Sequence, residues 1–454
     1  MLKLYNTLTR EAEGFKPIKE RNVGLYSCGP TVYWYQHIGN LRTYIFSDIL
    51  KRVLESKHFK VKHVINVTDV GHLTSDADTG EDKMERAAAK EGKTAKEISN
   101  FYLKSFQDDF KKLNIRKPNV WAKATANIKE QIALIKKLEE KGFTYKTSDG
   151  IYFDTSKFKD YGKMARLNKE GLEAGKRIEL KEKKNITDFA LWKFSGNPGQ
   201  RQQEWASPWG VGFPGWHIEC SAMSMKYLGE TFDIHTGGED HISIHHTNET
   251  AQSEASTGKK FVNFWLHGAF LNYKGEKISK SKGGLFTISE LEQKGFAPLD
   301  FRYLCLTAHY RSPLDFSLES LGNAKISYER LKNIIGEIKN DKKINEKYLE
   351  DFSGAISEDL DMPKALAILW NLVRDRGAQG KMKTIREMDK VLGLDLFKKI
   401  KVKITSEVSR LVAEREAARE RKDFTKADEL RAKIESLGFS VKDTDKGAEV
   451  KIKT

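Results

Sequence analysis

The tetrapeptide at residues 37–40, His-Ile-Gly-Asn, has side chains suited to binding a triphosphate. It follows a short strand-like run at residues 23–28 and precedes apolar residues at helical spacing over residues 41–54. We therefore expect it at a helix amino terminus, where free backbone N–H groups and the helix dipole favour phosphate. An imidazole and a side-chain amide there would stabilise charge on an α-phosphate, and Gly39 would let a purine ring approach the backbone closely. On its own, a His and a Gly in a loop are more often incidental.

A second motif, Lys277-Ile278-Ser279-Lys280-Ser281, lies far along the chain between Gly275 and Gly283-Gly284. Two lysines on a glycine-flanked loop can neutralise a triphosphate and strengthen their contacts in the transition state. A basic surface turn is the simpler interpretation in a chain with 79 Lys and Arg residues. The occurrence of both motifs in this order favours a paired role in nucleotide binding.

The two motifs resemble the HIGH and KMSKS signatures of class I aminoacyl-tRNA synthetases, with Asn40 in place of the second histidine and Ile278 in place of methionine. The resemblance implies that His37, Asn40, Lys277 and Lys280 act in catalysis, with ATP as a substrate accompanied by Mg²⁺. It further implies an ATP site, with Asp240 placed for a ribose hydroxyl. The residues of that site are His37, Gly39, Asn40, His235, Gly237, Gly238, Asp240 and Lys280.

Three cysteines in 454 residues are too few for a disulfide framework, so they are better interpreted as reduced thiols or metal ligands. His245 and Glu249 are four residues apart, which places both on one face of a helix. Cys28 ends a predicted strand, and thiolate with imidazole is a zinc-like ligand set. Dispersed ligands have no local signature, and a lone buried cysteine is usually a small hydrophobe. Cys305 lies in an apolar helical run and is predicted to be a core residue.

The resemblance is more specific at these positions. Cys28, Cys220, His245 and Glu249 are similar, position for position, to the zinc ligands of the cysteine-specific branch of the synthetases. This implies one Zn²⁺ per chain, with an open position that binds the substrate thiolate. Because a metal–sulfur bond separates cysteine from serine better than pocket size does, the resemblance implies no editing domain.

The same resemblance implies that Cys28, Thr68, Trp216 and His245 line the amino-acid pocket. Packing in the core is a competing interpretation for Trp216. His246 points about 100° away from His245 on a helix, so we expect a structural or substrate-facing role for it.

The elements that must position these residues begin with a strand, a helix and a strand. This order predicts an α/β fold with a Rossmann-like doubly wound parallel sheet, split by an insertion. A helical region and a short strand-like tail follow, and the resemblance implies that they are an α-helical tRNA-binding region and a small C-terminal α+β domain. Local predictions include a helix at 94–113 with a capping box, a hairpin at 143–154, an insertion loop at about 162–184 and one charged helix at 408–437. The predicted domains are the first half of the catalytic domain (1–122), an inserted connective domain (123–204), the second half of the catalytic domain (205–290), a stem-contact linker (291–325), a helical bundle (326–400) and an anticodon-reading domain (405–454).

The bulk composition agrees with an enzyme that handles a polyanion. The net charge is +15, and 39% hydrophobic with 31% charged residues argues against wholesale disorder. No apolar run approaches the roughly 18 residues that span a bilayer, and the amino terminus lacks a secretory pattern. We therefore expect a cytoplasmic protein with no membrane partner, and the resemblance implies a monomer whose partners are tRNA(Cys), ATP and L-cysteine.

Two alternatives are kept. The cysteine ligase of mycothiol biosynthesis shares the fold and the adenylate chemistry, but it has an amino-sugar acceptor and lacks the terminal domain. A non-catalytic RNA-binding paralogue would share the fold without activity, although such proteins usually lose motif residues. Here His37, both lysines and all four proposed ligands are present.

Overall fold

The computed structural model describes residues 1–71, 82–166, 182–199, 201–273, 276–277, 286–398, 406–444 and 447–452. They form two compact units, residues 1–325 with 339–394 and residues 326–338 with 395–454. The helices are α1 (Ile38–Ser56), α2 (Lys83–Glu91), α3 (Ala95–Lys112), α4 (Ile128–Glu140), α5 (Trp216–Leu228), α6 (His245–Thr257), α7 (Ile288–Gln293), α8 (Pro298–Leu306), α9 (Leu318–Glu337), α10 (Glu346–Ser357), α11 (Met362–Arg374), α12 (Lys381–Leu392), α13 (Ser406–Glu420) and α14 (Phe424–Ser436). The strands are β1 (Lys3–Asn6), β2 (Glu11–Gly14), β3 (Asn22–Ser27), β4 (Lys60–Val67), β5 (Val120–Lys123), β6 (Thr144–Lys146), β7 (Gly150–Phe153), β8 (Phe189–Phe194), β9 (Gly212–Pro214), β10 (Phe232–Gly238), β11 (Val262–Gly268), β12 (Leu271–Tyr273), β13 (Glu276–Lys277), β14 (Leu314–Phe316), β15 (Phe439–Thr444) and β16 (Gly447–Ile452).

A five-stranded parallel sheet forms the centre of the first unit, in the order β11-β10-β3-β4-β5. The order reverses between β3 and β10, since the chain first adds β4 and β5 on one side and later adds β10 and β11 on the other. Ligands of such sheets bind beyond the carboxyl ends of the strands at this reversal. The predicted doubly wound parallel sheet is confirmed, and its binding edge lies after Ser27 and Gly238.

The turn that follows β3 requires glycine. A Cβ atom added to Gly29 would lie 1.6 Å from the backbone oxygen of Asn66. The Asn66 side chain also accepts a hydrogen bond from the Gly29 N–H at 2.6 Å. The close approach of β3 and β4 therefore holds Cys28 at the edge of the sheet.

The helices around the sheet begin and end as their sequences predict. The side chain of His37 caps α1. The capping box of Thr94 and Glu97 is present at the start of α3, and Leu113 caps its end. The prediction of a helix at 94–113 is therefore confirmed, because the local capping signals agree with the apolar spacing.

An antiparallel sheet of four strands, β6-β7-β8-β9, is inserted between β5 and β10 of the parallel sheet. The hairpin predicted at 143–154 is confirmed as β6 and β7, with Thr144 opposite Phe153. The prediction of an insertion loop at about 162–184 lies partly outside the described residues, which omit 167–181.

A buried ion cluster joins four helices of the first unit. Asp48 of α1 accepts hydrogen bonds from Arg52 Nε and Arg302 Nη2, each at 2.7 Å. Arg302 also donates to the backbone oxygens of Leu392 and Leu113, which tie the ends of α12 and α3 to the cluster. All three charged side chains are at most 5% exposed, so their interaction is almost fully shielded from water.

The helical character predicted after residue 325 is confirmed, with α10, α11 and α12 over residues 346–392. Residues 339–394 belong to the first unit, whereas residues 326–338 belong to the second. The segment predicted as one helical bundle, 326–400, therefore coincides with neither unit. The predicted functional roles of the six segments remain proposals.

The second unit includes a helical hairpin and a β-hairpin. Its core consists of Val408, Leu411, Leu430, Ile434 and Val441. The strand-like tail is confirmed as the antiparallel pair of β15 and β16.

The prediction of one helix over 408–437 is wrong, because the chain forms α13 and α14 with a turn between them. Lys422 has φ of +61°, and Asp423 caps α14 by accepting the N–H of Lys426 at 3.0 Å. The apolar spacing continues across this turn because both helices pack against the same core.

The described part of the chain contains no helix that is both long enough and apolar enough to cross a bilayer.

Candidate metal centre and nucleotide-binding site

Four residues predicted as metal ligands converge at the binding edge of the parallel sheet. Cys28 follows β3, Cys220 lies on α5, and His245 and Glu249 lie in the first turns of α6. One ligand atom from each residue lies within 4.8 Å of all the others, and all four side chains are buried. The i,i+4 spacing places His245 Nε2 2.9 Å from Glu249 Oε1. The structure therefore assembles from three elements the set that the sequence could only suggest.

The pKa values of His245 and Glu249 show how charge is balanced within this buried cluster. Burial alone would lower the pKa of His245, but Glu249 and Cys220 raise it to about 10. Burial would raise the pKa of Glu249, yet His235 and His245 hold it well below its usual range. In this arrangement a proton on His245 balances the buried carboxylate.

The pKa values of the two thiols shift in opposite directions. Burial and the neighbouring Cys220 raise the pKa of Cys28 well above its ordinary value. Burial would also raise the pKa of Cys220, but hydrogen bonds with Cys28 and His245 lower it below its ordinary value. Metal binding displaces protons from such ligands, so a dication would take over the role of these protons.

The donor set fits zinc. Two thiols, one imidazole and one carboxylate are ligands that Zn²⁺ accepts in four-coordinate sites, and the sulfur atoms disfavour Mg²⁺ and Ca²⁺. A second group of four, Cys28, His235, His246 and Glu249, meets the same distance limit. That group contains one thiol instead of two and leaves Cys220 unused. The set with both cysteines is therefore the better match for zinc.

His246 lies closer to the cluster than the helical geometry suggested. Its Nε2 atom is 3.2 Å from Cys28 Sγ, and its Nδ1 atom is 2.7 Å from His267 Nε2. His246 does point about 100° away from His245 around the helix axis. Cys28, which follows β3, nevertheless lies close enough to contact the imidazole of His246. The side chain is fully buried, so it contacts the cluster as a structural residue.

His235 is placed differently from its predicted role in nucleotide binding. Its side chain is fully buried, and its Nε2 atom lies 3.0 Å from Glu249 Oε2. The ring stacks on Trp265 with centroids 4.6 Å apart. The imidazole therefore supports the carboxylate of the candidate metal cluster, and the role of His235 in nucleotide binding remains a prediction.

Of the predicted pocket residues Trp216 and Thr68, Trp216 contacts the cluster, and Thr68 bonds to Glu219, the residue before Cys220 on α5. Trp216 is half-buried, and its ring stacks on His245 with centroids 4.3 Å apart. His217 Nδ1 lies 2.8 Å from His245 Nδ1, which leaves His245 Nε2 to face the ligands. Thr68 is buried and donates to Glu219 Oε2 at 3.2 Å. Trp216 therefore packs against the imidazole of His245, and the rest of its indole ring remains partly exposed beside the cluster.

A buried chain of hydrogen bonds behind the cluster was not predicted from the sequence. His267 Nδ1 lies 2.7 Å from Thr7 Oγ1, and its Nε2 atom reaches His246. One signal was present, because His267 is the penultimate residue of β11 and pairs in register with Gly237 of β10. The carboxyl ends of neighbouring parallel strands meet at the same edge, which would have placed His267 there.

Within the described part of the chain, the residues predicted to bind ATP lie at the amino terminus of α1 and at or just after the end of β10. The side chain of His37 accepts the N–H of Asn40 at 3.4 Å, and Asn40 is exposed. A Cβ atom added to Gly238 would lie 2.4 Å from Asp240 Oδ1 and 4.0 Å from Thr43 Oγ1 of α1, so Gly238 faces α1. A Cβ atom at Gly237 would lie 2.6 Å from His246, so this strand end accepts only glycine. Asp240 is exposed in the short 3₁₀ turn that follows.

The second signature motif is only partly within the described residues. Lys277 lies in β13, whose backbone pairs with β12, whereas Lys280 lies outside the described residues. Phe286, where the description resumes, accepts the backbone N–H of Ile38 at 2.8 Å. Phe286, five residues after the lysine-rich motif, therefore lies beside the His37 motif, although the two motifs are far apart in sequence.

Comparison with known proteins agrees with this site. Residues 14–326 match the family described as tRNA synthetases class I (C) catalytic domain, and residues 402–450 match the Cysteinyl-tRNA ligase anticodon binding domain. A solved structure of Mycobacterium tuberculosis methionyl-tRNA synthetase in complex with methionyl-adenylate has a TM-score of 0.58 and 14% identity. It covers 82% of this chain and 88% of that chain, so it shows the fold alone. The fold and the paired motifs define a class I aminoacyl-tRNA synthetase.

Curated relatives identify the branch of this class. The chain is 49% identical to Cysteine--tRNA ligase 1 of Burkholderia lata, over 98% of this chain and 96% of that protein. It is 44% identical to Cysteine--tRNA ligase of Treponema denticola, over 97% of this chain and 98% of that protein. The chain belongs to the cysteinyl-tRNA synthetase family of ligase enzymes.

Proposed function

We propose that the chain activates L-cysteine with Mg-ATP and transfers the cysteinyl group to the 3′ end of tRNA(Cys). The observation that carries this proposal is the convergence of Cys28, Cys220, His245 and Glu249 at the sheet edge that also holds the His37 motif. Cysteine bound at the cluster would have its carboxylate directed toward a nucleotide on α1. When bound, zinc offers a soft coordination position to the substrate thiolate that a serine hydroxyl fills poorly.

The first step joins the cysteine carboxylate to ATP. A carboxylate oxygen attacks the α-phosphorus, the bond to the β-phosphate oxygen breaks, and pyrophosphate leaves with that electron pair. The amino terminus of α1, with His37 as its cap, stabilises the charge on the α-phosphate oxygens. Lys277 and Lys280 are proposed to neutralise the departing pyrophosphate, as the matching signature implies.

The second step transfers the cysteinyl group. The terminal ribose hydroxyl of the tRNA attacks the carbonyl carbon of the adenylate, its proton passes to a phosphate oxygen of the adenylate, and AMP leaves with the bonding electron pair. No protein nucleophile is needed, so positioning and electrostatic stabilisation supply the catalysis. Asn40, Gly39, Gly237, Gly238 and Asp240 are proposed to hold the nucleotide.

The matching anticodon domain favours tRNA over an amino sugar as the acceptor. Residues 402–450 match an anticodon binding domain, which the rival mycothiol ligase would lack. The residues of both motifs and of the metal cluster also argue against an inactive paralogue. A monomeric state and a cytoplasmic location remain predictions.

The test is ATP-dependent attachment of labelled cysteine to total tRNA, with labelled serine as the control and a strong zinc chelator in a parallel reaction. We expect cysteine alone to be attached and chelation to stop the reaction. Cysteine-dependent exchange of pyrophosphate into ATP, measured without tRNA, separates the two steps. Exchange without tRNA charging would overturn the acceptor, and unchanged charging after verified removal of zinc would overturn the metal assignment.

A further inference from the structure

An exposed cluster of aromatic side chains lies beside the His37 motif. This aromatic patch consists of Trp34, Tyr35, Phe101 and Tyr102. Trp34, Tyr35 and Phe101 are 45%, 42% and 47% exposed, among the highest values for large apolar or aromatic side chains in the described residues. Tyr102 is buried beneath them, with its ring 5.0 Å from Tyr35 and 5.8 Å from Trp34. Exposed rings that pack on one another and not on the core are a binding surface in many soluble proteins.

The rings of the aromatic patch are paired with lysines. Lys90 Nζ lies 5.5 Å from the ring centroid of Trp34, and Lys93 Nζ lies 5.1 Å from that of Phe101. Glu91 supports the arrangement by accepting hydrogen bonds from the Tyr102 hydroxyl at 2.6 Å and from Lys93 at 2.9 Å. An aromatic face flanked by ammonium groups suits a partner that offers both flat rings and negative charge.

Unpaired RNA has this chemistry. Its bases stack on aromatic side chains, and its phosphates attract lysines. In a double helix the bases already stack on each other, so paired RNA would not use such rings. An apolar protein partner would use the rings but gain little from the two ammonium groups.

The position of the aromatic patch indicates which unpaired segment of the RNA would contact it. Trp34 lies three residues before His37, so the two Cα atoms are at most about 11 Å apart. In the proposed reaction the terminal ribose hydroxyl must reach an adenylate at the His37 motif. The nucleotides just before that terminal ribose must then pass close to Trp34.

We propose that the aromatic patch binds the unpaired 3′ end of the acceptor tRNA, with bases stacked on Trp34 and Phe101 and phosphates near Lys90 and Lys93. This inference rests on the proposed function, since it assumes a tRNA acceptor. It adds a docking surface that positions the acceptor end for the transfer step but takes no part in cysteine activation.

The test measures binding of two RNAs, intact tRNA(Cys) and the same tRNA lacking its unpaired 3′ end, to wild-type enzyme and to variants. The variants are Trp34→Ala, Phe101→Ala, the conservative Trp34→Phe, and Ile18→Ala as a control of similar exposure (48%) outside the patch. We expect each alanine variant within the patch to weaken binding of intact tRNA by about 5- to 150-fold, the range for loss of one base–aromatic stack. Truncated tRNA is expected to bind wild type and variants equally, while Trp34→Phe retains most of the affinity and Ile18→Ala changes neither RNA.

Cysteine-dependent pyrophosphate exchange without tRNA keeps this inference separate from the proposed function. We expect the alanine variants to retain exchange within about twofold of wild type, since the rings lie outside the cysteine and ATP contacts, while KM for tRNA rises. Equal weakening of intact and truncated tRNA would overturn the proposal, because the contact would then lie elsewhere on the RNA. Unchanged binding of both RNAs would overturn it in favour of a protein partner, and absent exchange in wild type would instead overturn the proposed function.

Discussion

Two buried clusters of charged or ionisable residues in the first unit have opposite designs. In one, the carboxylate of Asp48 is bonded to Arg52 and Arg302. In the other, the groups bonded to the carboxylate of Glu249 in the described part of the chain are the imidazoles of His235 and His245 and the thiol of Cys28. A carboxylate between permanent guanidinium cations is complete within the protein. A carboxylate among imidazoles and thiols offers free electron pairs to a cation from outside.

The pKa values of the two carboxylates express this difference. Burial raises the pKa of Asp48, but Arg302 and Arg52 outweigh it and hold the pKa below its ordinary value of 3.8. The pKa of Glu249 is also lowered, by the neighbouring His235 and His245, and the pKa of His245 is raised in turn. A protein that buries charge for stability uses arginine, and one that buries ligands for a metal uses groups that can lose a proton.

Removing a ligand should give the largest effect. We expect Cys220→Ser to lose bound zinc and to lower cysteine-dependent pyrophosphate exchange by more than about 100-fold, since even outer-shell partners of a metal cost 10- to 100-fold. Metal content by atomic emission and exchange rates check this. Cys305→Ser is the matched control, because Cys305 is also a buried free thiol but lies on α8 outside the cluster. Full exchange by zinc-free Cys220→Ser protein would refute the ligand assignment.

Breaking the arginine cluster should affect stability and leave metal binding intact. Asp48→Asn leaves two buried guanidinium groups without their carboxylate, and we expect a loss of about 3–5 kcal/mol in the free energy of unfolding. Asp108→Asn, which removes the exposed ion pairs with Lys104 and Lys111, should leave the free energy of unfolding nearly unchanged. Denaturant unfolding at pH 7 measures both, with zinc content as the second readout. Comparable losses for the two variants would contradict the distinction drawn between buried and exposed pairs.

A smaller effect should appear in the pH dependence. Because the folded-state pKa of Asp48 is lowered, its contribution to stability is present above pH 3.8 and is lost as the pH falls through the folded-state value. The difference in unfolding free energy between wild type and Asp48→Asn should therefore be largest above about pH 4 and shrink at lower pH. Unfolding curves at several acidic pH values test this. A difference that grows as the pH falls would show that the carboxylate is not held ionised by the arginines.

Local signals account for what could be predicted correctly without tertiary information. The helix at α3 and the hairpin of β6 and β7 depend on residues that are near in sequence, such as Thr94 with Glu97. The same is true of His37, since a cap and its helix are adjacent. The wrong prediction of one helix across α13 and α14 has a tertiary cause. Both helices bury their apolar faces in one core, so the apolar spacing continues across the turn at Asp423 and does not reveal it.

The amino-acid sequence by itself determined the α/β class, the motif at the amino terminus of α1 and, through the spacing of His245 and Glu249, half of the candidate metal cluster. Tertiary structure decided the rest, because parallel pairing of β3 with β10 brings Cys28 to the start of α6 across more than 200 residues of chain. It also decided that His246 contacts Cys28 and that His235 supports Glu249. Distances between elements depend on how the strands are ordered in the sheet, and no local pattern of residues encodes that order.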